Sequence, residues 1–213
     1  MTLDEIISTI PIKPYHQEES GVIYCADCLN VMKGIPNGAV DMIITSPPYN
    51  FDAGANLTGN KYKGQSDKMT QEQYLTFLDE RLKEMIRISR YTFFNIQFIS
   101  GNKQSLMLLL GKYADKVKEM IIWDKKTSEP AMEPNVLNSE FEFIVVFSNE
   151  LGRKFQIANF DRGTQANIFR IPKNRGKFTM AHNACFPDTL PLFIIQKFAK
   201  NGAVILDPFL GSG

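Results

Sequence analysis

The 213-residue sequence has few cysteines, almost no excess of charge and no long apolar run. Spanning a bilayer as a helix takes about 20 apolar residues in a row, so a transmembrane segment is not expected. Three cysteines are too few, and odd in number, for a disulfide framework, which indicates a reducing compartment. The first residues carry early acids and lack the basic start and apolar core of a secretory signal. We therefore expect a cytoplasmic protein.

The net charge of +1 excludes an overall electrostatic attraction to nucleic acid or to membranes. Any basic surface must therefore be local. The hydrophobic and aromatic fractions, 44% and 11%, are ordinary for a globular protein. The length suits one well-buried core and leaves no obvious second domain. We find no internal repeat and no low-complexity tract.

Alternating strand-like and helical segments predict an α/β domain on a mainly parallel sheet. Residues 1–20 look like a loose leader, and the domain is expected over 21–213. The segments 21–27 and 39–45 read as strands too apolar to be half-exposed. A helix is expected from Thr70, where Gln73 can complete a capping box. Further strands are predicted at YTFFNIQFI, KEMIIW, FEFIVVF and AVILD, and further helices at 102–113 and at 188–200, the last with Asp188 as N-cap and Gly202 beyond its end.

Two short segments indicate chemistry. The stretch TSPPY, residues 45–49, ends the second predicted strand with two prolines, which cannot continue a sheet ladder and so shape a rigid corner. The stretch VILDPFLGSG, at the end of the sequence, places an acid after an apolar strand and before a glycine-rich turn. That pattern suits a nucleotide-type crevice in an open α/β sheet. Gly211 and Gly213 would let the backbone approach a ligand closely.

Together the two segments resemble the amino-methylating DNA methyltransferases, which modify adenine N6 or cytosine N4. Their corner, [DNS]-P-P-[YFW], is matched by Ser46, Pro47, Pro48 and Tyr49. Their cofactor motif, Asp-Pro-Phe-x-Gly-Ser-Gly, is matched by Asp207–Gly213. The corner comes first, as in the family's permuted beta group. The resemblance implies a Rossmann-like, S-adenosylmethionine-dependent methyltransferase fold with circularly permuted motif order and a mainly parallel sheet flanked by helices.

The resemblance gives the corner a chemical role. An exocyclic amine is a poor nucleophile because its lone pair is delocalised into the ring, and hydrogen-bond acceptors favour the geometry that localises it. Ser46 Oγ and the Pro47 carbonyl are the natural acceptors. Tyr49 offers a ring on which the extruded base can stack, so Tyr49→Phe should be mild. We expect direct in-line methyl transfer without a covalent enzyme–base intermediate and without a metal.

The resemblance also predicts the residues that hold the cofactor. Asp27 should accept from its adenine amino group, and Cys28 should border the adenine ring. His182 matches a position that often contacts the cofactor tail, while Phe209 either packs in the core or forms a cofactor wall. The full predicted set is Asp27, Cys28, His182, Asp207, Pro208, Phe209, Gly211, Ser212 and Gly213.

Two segments are predicted to contact double-stranded DNA. Residues 151–178 carry seven basic residues against the single acid Asp161, and phosphate contacts are built from such concentrations. The resemblance places target recognition in the same interval. Residues 51–68 follow the corner and are expected to form a mobile flap whose polar side chains read base edges. The predicted contacts are Asn56, Lys61, Lys63, Arg170, Lys173, Arg175 and Lys177.

Two alternatives stay open. Cys25-x-x-Cys28 and His182-x-x-Cys185 could supply four zinc ligands, although the pairs are far apart in the chain. The chain also stops inside the cofactor motif, so it could be an inactive or split methyltransferase fragment that binds DNA or a partner without catalysis. Its partners would then include a separate chain or segment completing the cofactor subdomain, and a homodimer is a further option. In the family that the sequence resembles, serine at the first corner position is commoner among cytosine-N4 enzymes but occurs in both groups, so the resemblance favours cytosine N4 and keeps adenine N6 as the alternative.

Overall fold

The structure is a computed structural model that describes residues 1–50, 68–129, 134–173 and 187–211. In chain order its elements are α1 (Leu3–Thr9), β1 (His16–Glu18), β2 (Gly21–Ile23), α2 (Cys28–Gly34), β3 (Val40–Thr45), α3 (Gln71–Ile88), β4 (Ser89–Ile96), α4 (Lys103–Lys112), a 3-10 turn (Ala114–Lys116), β5 (Val117–Glu129), β6 (Ser139–Phe147), β7 (Ile168–Arg170), α5 (Thr189–Phe198) and β8 (Ile205–Leu206). No helix in these four ranges is long and apolar enough to cross a membrane.

The main sheet has six strands in the order β7-β5-β6-β4-β3-β8. Strand β3 pairs in parallel with β4 and with β8, and β7 pairs in parallel with β5. Only β6 runs against both of its neighbours, β4 and β5. Five strands therefore share one direction, and their carboxyl ends meet at one edge of the sheet, here called the carboxyl edge. The predicted mainly parallel α/β sheet is confirmed.

Helices cover both faces of this sheet. One buried cluster joins α1, α2, α3 and α4 to the face that carries Ile43, Phe94 and Val145. The other joins α5 and the segment after β6 to the face that carries Ile44 and Phe93. The alternation of neighbouring residues between the two clusters is the period of two that a strand imposes.

Helix α3 begins as the sequence predicts. Thr70 accepts from the backbone N–H of Gln73, and the Gln73 side chain accepts from the backbone N–H of Thr70, which completes the capping box. The predicted apolar stripe of this helix is buried: Tyr74, Leu78, Leu82, Met85 and Ile86.

Residues 1–20 are not the loose leader that was predicted, because part of this segment is a packed helix. Residues Leu3–Thr9 form a helix with its own capping box between Thr2 and Glu5, and Ile6 is buried in the first cluster. The capping box defines the start of this helix, and Ile6 shares a buried cluster with Met32 of α2.

The segment 21–27 also differs from its prediction. Only Gly21–Ile23 is extended, and it pairs with His16–Glu18 in an antiparallel two-stranded hairpin apart from the main sheet. Its residues are partly or fully exposed. Apolar composition predicted an extended segment but could not identify its partner. Asp27, predicted to end this strand, instead caps α2.

The last helix and strand lie where they are predicted, with shorter bounds. Asp188 precedes α5, but its side chain makes no capping hydrogen bond to the helix. Gly202 follows the helix at a φ of 77°, in the left-handed region that favours glycine. Strand β8 then brings Asp207 to the carboxyl edge beside the end of β3.

Candidate active site

The predicted corner leaves the end of β3 and is anchored by two helices. The Tyr74 hydroxyl of α3 donates to the Pro48 carbonyl at 2.6 Å. Asn102, the fully buried residue before α4, donates to the Tyr49 carbonyl at 3.0 Å. Pro47 is buried, whereas Ser46, Pro48 and Tyr49 are partly exposed. Two hydrogen bonds to its carbonyls therefore hold a turn that the prolines have already stiffened.

Asn50 closes the corner in a strained conformation. Its φ is 57°, in the left-handed region, and its side chain exchanges hydrogen bonds with the backbone of Met69 and donates to Gly101. A Cβ added at Gly101 would lie 2.4 Å from the Asn50 carbonyl oxygen. The corner and the loop before α4 are thus in direct backbone contact, and only glycine fits at position 101.

A chain of hydrogen bonds runs from the corner into the sheet. The Ser46 hydroxyl donates to the Tyr49 hydroxyl oxygen at 3.1 Å, and the Tyr49 hydroxyl donates to Glu142 Oε2 at 2.9 Å. A carboxylate has no proton to give, so Tyr49 must donate to Glu142 and must accept from Ser46. Burial of the hydroxyl, followed by the neighbouring Glu142 charge, raises the pKa of Tyr49 well above its usual value. Tyr49 is therefore a neutral donor.

Glu142 ends this chain in a buried ion pair. Lys125 Nζ lies 3.3 Å from Glu142 Oε1, and the two side chains are 6% and 9% exposed. Asn95 donates to Glu142 Oε2 at 3.1 Å and to the Phe143 carbonyl at 3.2 Å. Strand alternation places Asn95 and Glu142 on the same sheet face as Phe93 and Ile144.

On the other side of β3, Asp207 is held at the start of the cofactor motif. Its Oδ1 accepts from the Thr45 hydroxyl at 2.5 Å and from the Phe209 backbone N–H at 2.9 Å. Burial raises the pKa of Asp207, and these two hydrogen bonds act in the opposite direction. Gly211 follows at a φ of 70°, a conformation that favours glycine.

A second acid, Asp27, is connected to the Asp207–Gly211 segment by a series of side-chain contacts. Asp27 Oδ1 accepts from the Leu29 N–H at 2.8 Å, and Oδ2 accepts from Arg81 at 3.0 Å. The Arg81 guanidinium lies 3.9 Å from the centre of the Phe77 ring, and that ring lies 6.0 Å from the ring of Phe209. The sequence-predicted Asp27 and Phe209 are therefore connected across α3.

Cys28, beside Asp27, is a protonated thiol rather than a thiolate. Its side chain is partly buried, and this burial is the main reason that its pKa is raised. Arg81 partly counteracts the shift. Cys25 is exposed. In the described part of the chain, no group of three or more His, Cys, Asp or Glu side chains is placed to hold a metal. His182 and Cys185, the other pair of the zinc alternative, lie outside it.

The basic segment divides between two edges of the sheet. Arg170 ends β7 at the carboxyl edge and lies 3.7 Å from Asp124 of β5. Lys173 follows it, exposed, with its backbone N–H donating to the Lys125 carbonyl. Arg153 pairs instead with Glu119, near the start of β5, at 2.8 Å. Of the described basic residues after β6, Arg170 and Lys173 thus lie at the edge that carries the corner.

Several predicted site residues lie outside the described residues: His182, Ser212, Gly213, Asn56, Lys61, Lys63, Arg175 and Lys177. Sequence reasoning also missed four residues of the site, namely Arg81, Asn95, Lys125 and Glu142. Their signal was present but weak. Glu142 stands inside the apolar run FEFIVVF, and Asn95 inside YTFFNIQFI. A polar residue within a buried strand requires a partner, which is a reason to ask what lies beside it.

Comparison with known proteins agrees with this geometry. Residues 40–213 match the family described as DNA methylase, of the N6/N4 methyltransferase type. The chain belongs to this family. It is similar to the type II methyltransferase M.ScaI of Streptomyces caespitosus, with 24% identity over 237 residues that cover 94% of this chain and 74% of the relative. For M.HpaI of Haemophilus parainfluenzae the identity is 25% over 214 residues, covering 90% and 64%.

Two solved structures share the fold. The PvuII DNA methyltransferase (cytosine-N4-specific) superposes with a TM-score of 0.70 at 16% identity, covering 93% of this chain and 77% of that chain. M1.HpyAVI, solved as a complex with S-adenosylmethionine, gives a TM-score of 0.55 at 18% identity, covering 89% and 83%. The predicted family, fold class and cofactor, S-adenosylmethionine, are therefore confirmed.

Proposed function

We propose that this family member methylates the N4 amino group of cytosine in double-stranded DNA. Family membership gives the reaction, methyl transfer to an amino group of a DNA base, and the choice of cytosine is what we add. Two facts support cytosine: Ser46 occupies the first position of the corner, and the structural neighbour from PvuII is cytosine-N4-specific. A DNA substrate also agrees with the predicted cytoplasmic setting.

The observation that carries the proposal is the direction of the hydrogen bond at Ser46. Its proton is given to Tyr49, so the Oγ lone pairs are free to accept from a target amine. Accepting an N–H bond favours the tetrahedral nitrogen of the transition state more than the planar nitrogen of the free base. Ser46 is thereby an acceptor fixed in advance, with no rotation needed when the base arrives.

The residues around Asp207 fit S-adenosylmethionine. The cofactor supplies an activated methyl group when it is bound. Asp207 and Gly211 would hold its methionine part, and Asp27 and Phe209 its adenosine part. Two observations favour a polar ligand here: the Asp27 side chain is 49% exposed, and Arg81 Nε is buried without a hydrogen-bond partner among the described residues. A buried guanidinium N–H without a partner is costly unless something completes it.

Access to the amine requires the base to leave the duplex. Tyr49 is partly exposed, and its ring can offer a face to the extruded base, worth about 1–3 kcal/mol by analogy with single-strand binders. Arg170 and Lys173 are exposed at the same carboxyl edge and can neutralise phosphates there. The flap predicted to cover the DNA spans residues 51–68, of which 51–67 lie outside the described residues.

The test is a transfer assay followed by nucleoside identification. The protein is incubated with tritiated S-adenosylmethionine and mixed-sequence duplex DNA, and the DNA is then digested to nucleosides. Label in N4-methyldeoxycytidine is the expected result. Label in N6-methyldeoxyadenosine would contradict the assignment of the base and preserve the reaction class. Without any label in the DNA, the inactive-fragment alternative would replace the proposal.

A further inference from the structure

The hydrogen bonds from Ser46 through Tyr49 to Glu142, here called the relay, run from the corner into the sheet and end on a buried carboxylate. Amino-methylation of a base must dispose of one proton, because the nitrogen carries two N–H bonds before the reaction and one after it. No acid or base is needed to activate the methyl group, so the proton's route is the open question for the protein. Ser46, Tyr49 and Glu142 already form a continuous, correctly oriented path.

Resting on the proposed function, we propose that Glu142 receives the proton released from the target amine, through Tyr49 and Ser46. As the nitrogen forms its bond to the methyl carbon, the carbon–sulfur bond breaks and its electrons stay on sulfur. The N–H proton passes to Ser46 Oγ, the Ser46 proton passes to Tyr49, and the Tyr49 proton passes to Glu142 Oε2. The products are a neutral methylamino group and a carboxylic acid at Glu142, so charge and protons balance.

The driving force lies in the amine. The alkylated nitrogen, while it still bears both protons, is a strong acid because losing one restores the conjugation of its lone pair with the ring. A carboxylate is then a sufficient acceptor even with Lys125 at 3.3 Å from its other oxygen. Before the reaction the ammonium of Lys125 offsets the charge of this buried carboxylate. After product release the proton can return along the same path to solvent at the partly exposed Ser46.

Asn95 supports this arrangement. Its Nδ2 donates to two acceptors, Glu142 Oε2 and the Phe143 carbonyl, so the opposite amide orientation would place an oxygen against both. Its Oδ1 is buried and has no hydrogen-bond partner among the described residues. Asn95 therefore donates to the same Glu142 oxygen as Tyr49 and holds that oxygen in place. Glu142 does not touch the base itself and acts on it through Tyr49 and Ser46.

Glu142→Gln tests the relay directly. Its amide oxygen can still accept the Tyr49 hydrogen bond, but it cannot take up a proton under these conditions. We expect the single-turnover rate of methyl transfer to fall about a hundredfold, within the range of positioned acid–base groups. The dissociation constants for S-adenosylmethionine and for duplex DNA should stay within twofold. Fluorescence of 2-aminopurine at the target position should also stay unchanged, because base extrusion does not use the relay.

The matched control is Glu150→Gln, which changes another tyrosine-bound glutamate at the opposite edge of the sheet. It should leave the transfer rate within twofold. Because Glu142→Gln leaves Lys125 without its partner and could unfold the protein, Tyr49→Phe is the second variant: it cuts the relay and preserves the ion pair. A transfer rate within twofold of wild type for either folded variant would overturn the relay. Absence of transfer by the wild-type protein would instead contradict the proposed function.

Discussion

The sheet carries two tyrosine–glutamate–lysine clusters, one at each edge. At the carboxyl edge Tyr49 donates to Glu142, which pairs with Lys125. At the opposite edge Tyr91 donates to Glu150 at 2.5 Å, and Lys118 lies 3.6 Å from the same carboxylate. Both lysines belong to β5, seven residues and about 23 Å apart along the strand.

The two clusters differ in the group from which each tyrosine oxygen accepts a hydrogen bond. The Tyr91 oxygen accepts from the backbone N–H of Gln156, so this cluster fastens the segment that follows β6. The Tyr49 oxygen accepts from the Ser46 hydroxyl, which belongs to the corner. Burial and a glutamate neighbour raise the pKa of both tyrosines, that of Tyr91 to about 12. The same side-chain chemistry therefore fastens a chain segment at one edge, and at the other it contacts the corner that we propose binds the target amine.

The largest expected effect comes from Ser46→Ala, which removes the feature that the Tyr91 cluster lacks. Methyl transfer should fall about a hundredfold to a thousandfold, as when one preorganised polar group of an active site is removed. Affinity for S-adenosylmethionine should change less than twofold, because Asp207 and Asp27 are untouched. Single-turnover transfer and isothermal titration measure the two quantities. Equal losses of both would mean that Ser46 supports the fold or the cofactor instead.

Replacing the lysine should lower stability in either cluster but should slow methyl transfer only at the carboxyl edge. Lys125→Met leaves Glu142 buried and unpaired, and we expect the free energy of unfolding to fall by about 3 kcal/mol. Lys118→Met should cost less, because Glu150 is 23% exposed and keeps its ion pair with Arg90. Urea denaturation measures the loss in both variants. Only Lys125→Met should also slow methyl transfer, and a similar slowing by Lys118→Met would contradict the comparison.

Gly101→Ala perturbs the corner without changing either cluster. The added Cβ would meet the Asn50 carbonyl, so a loss of about 1–3 kcal/mol is expected together with slower methyl transfer. The control is Gly111→Ala in the last turns of α4, where a Cβ meets nothing within 4 Å. That variant should be neutral or more stable by up to about 1 kcal/mol. Matching losses for both glycines would show that the corner is not constrained as described.

Thr45→Val should have the smallest effect and acts on the cofactor side. The Thr45 hydrogen bond lowers the pKa of Asp207, whose burial raises it. Removing the bond should raise that pKa further, so the pH at which Asp207 protonates and cofactor affinity falls moves upward. Titrations of S-adenosylmethionine affinity against pH, for wild type and variant, measure the displacement. If affinity for S-adenosylmethionine fell at the same acidic pH in wild type and variant, Asp207 would not govern cofactor binding.

The local structure around the candidate site could be predicted where its residues are contiguous in sequence. Ser46–Tyr49 and Asp207–Gly211 carry their chemistry within a few residues, and the capping box and apolar stripe of α3 are local signals as well. Each depends on backbone geometry that neighbouring residues largely determine.

The partners across the sheet could not be predicted in the same way. Glu142 is 93 residues from Tyr49, and Arg81 is 54 residues from Asp27. Their meeting depends on strand order and register, which a single sequence does not specify. The same limit explains the error at residues 21–27. Part of this apolar segment is extended, as predicted, but it pairs with His16–Glu18 and not with the main sheet.

The most direct test of the account is the single-turnover transfer rate of Tyr49→Phe beside Tyr91→Phe. Both variants remove one hydroxyl from a tyrosine that donates to a glutamate, and both keep the ring. If Tyr49 serves only as a stacking surface, Tyr49→Phe is mild, as the sequence alone predicts. The relay predicts a loss of about a hundredfold for Tyr49→Phe and a rate within twofold of wild type for Tyr91→Phe. Equal rates for the two variants would contradict the distinction between the two edges of the sheet.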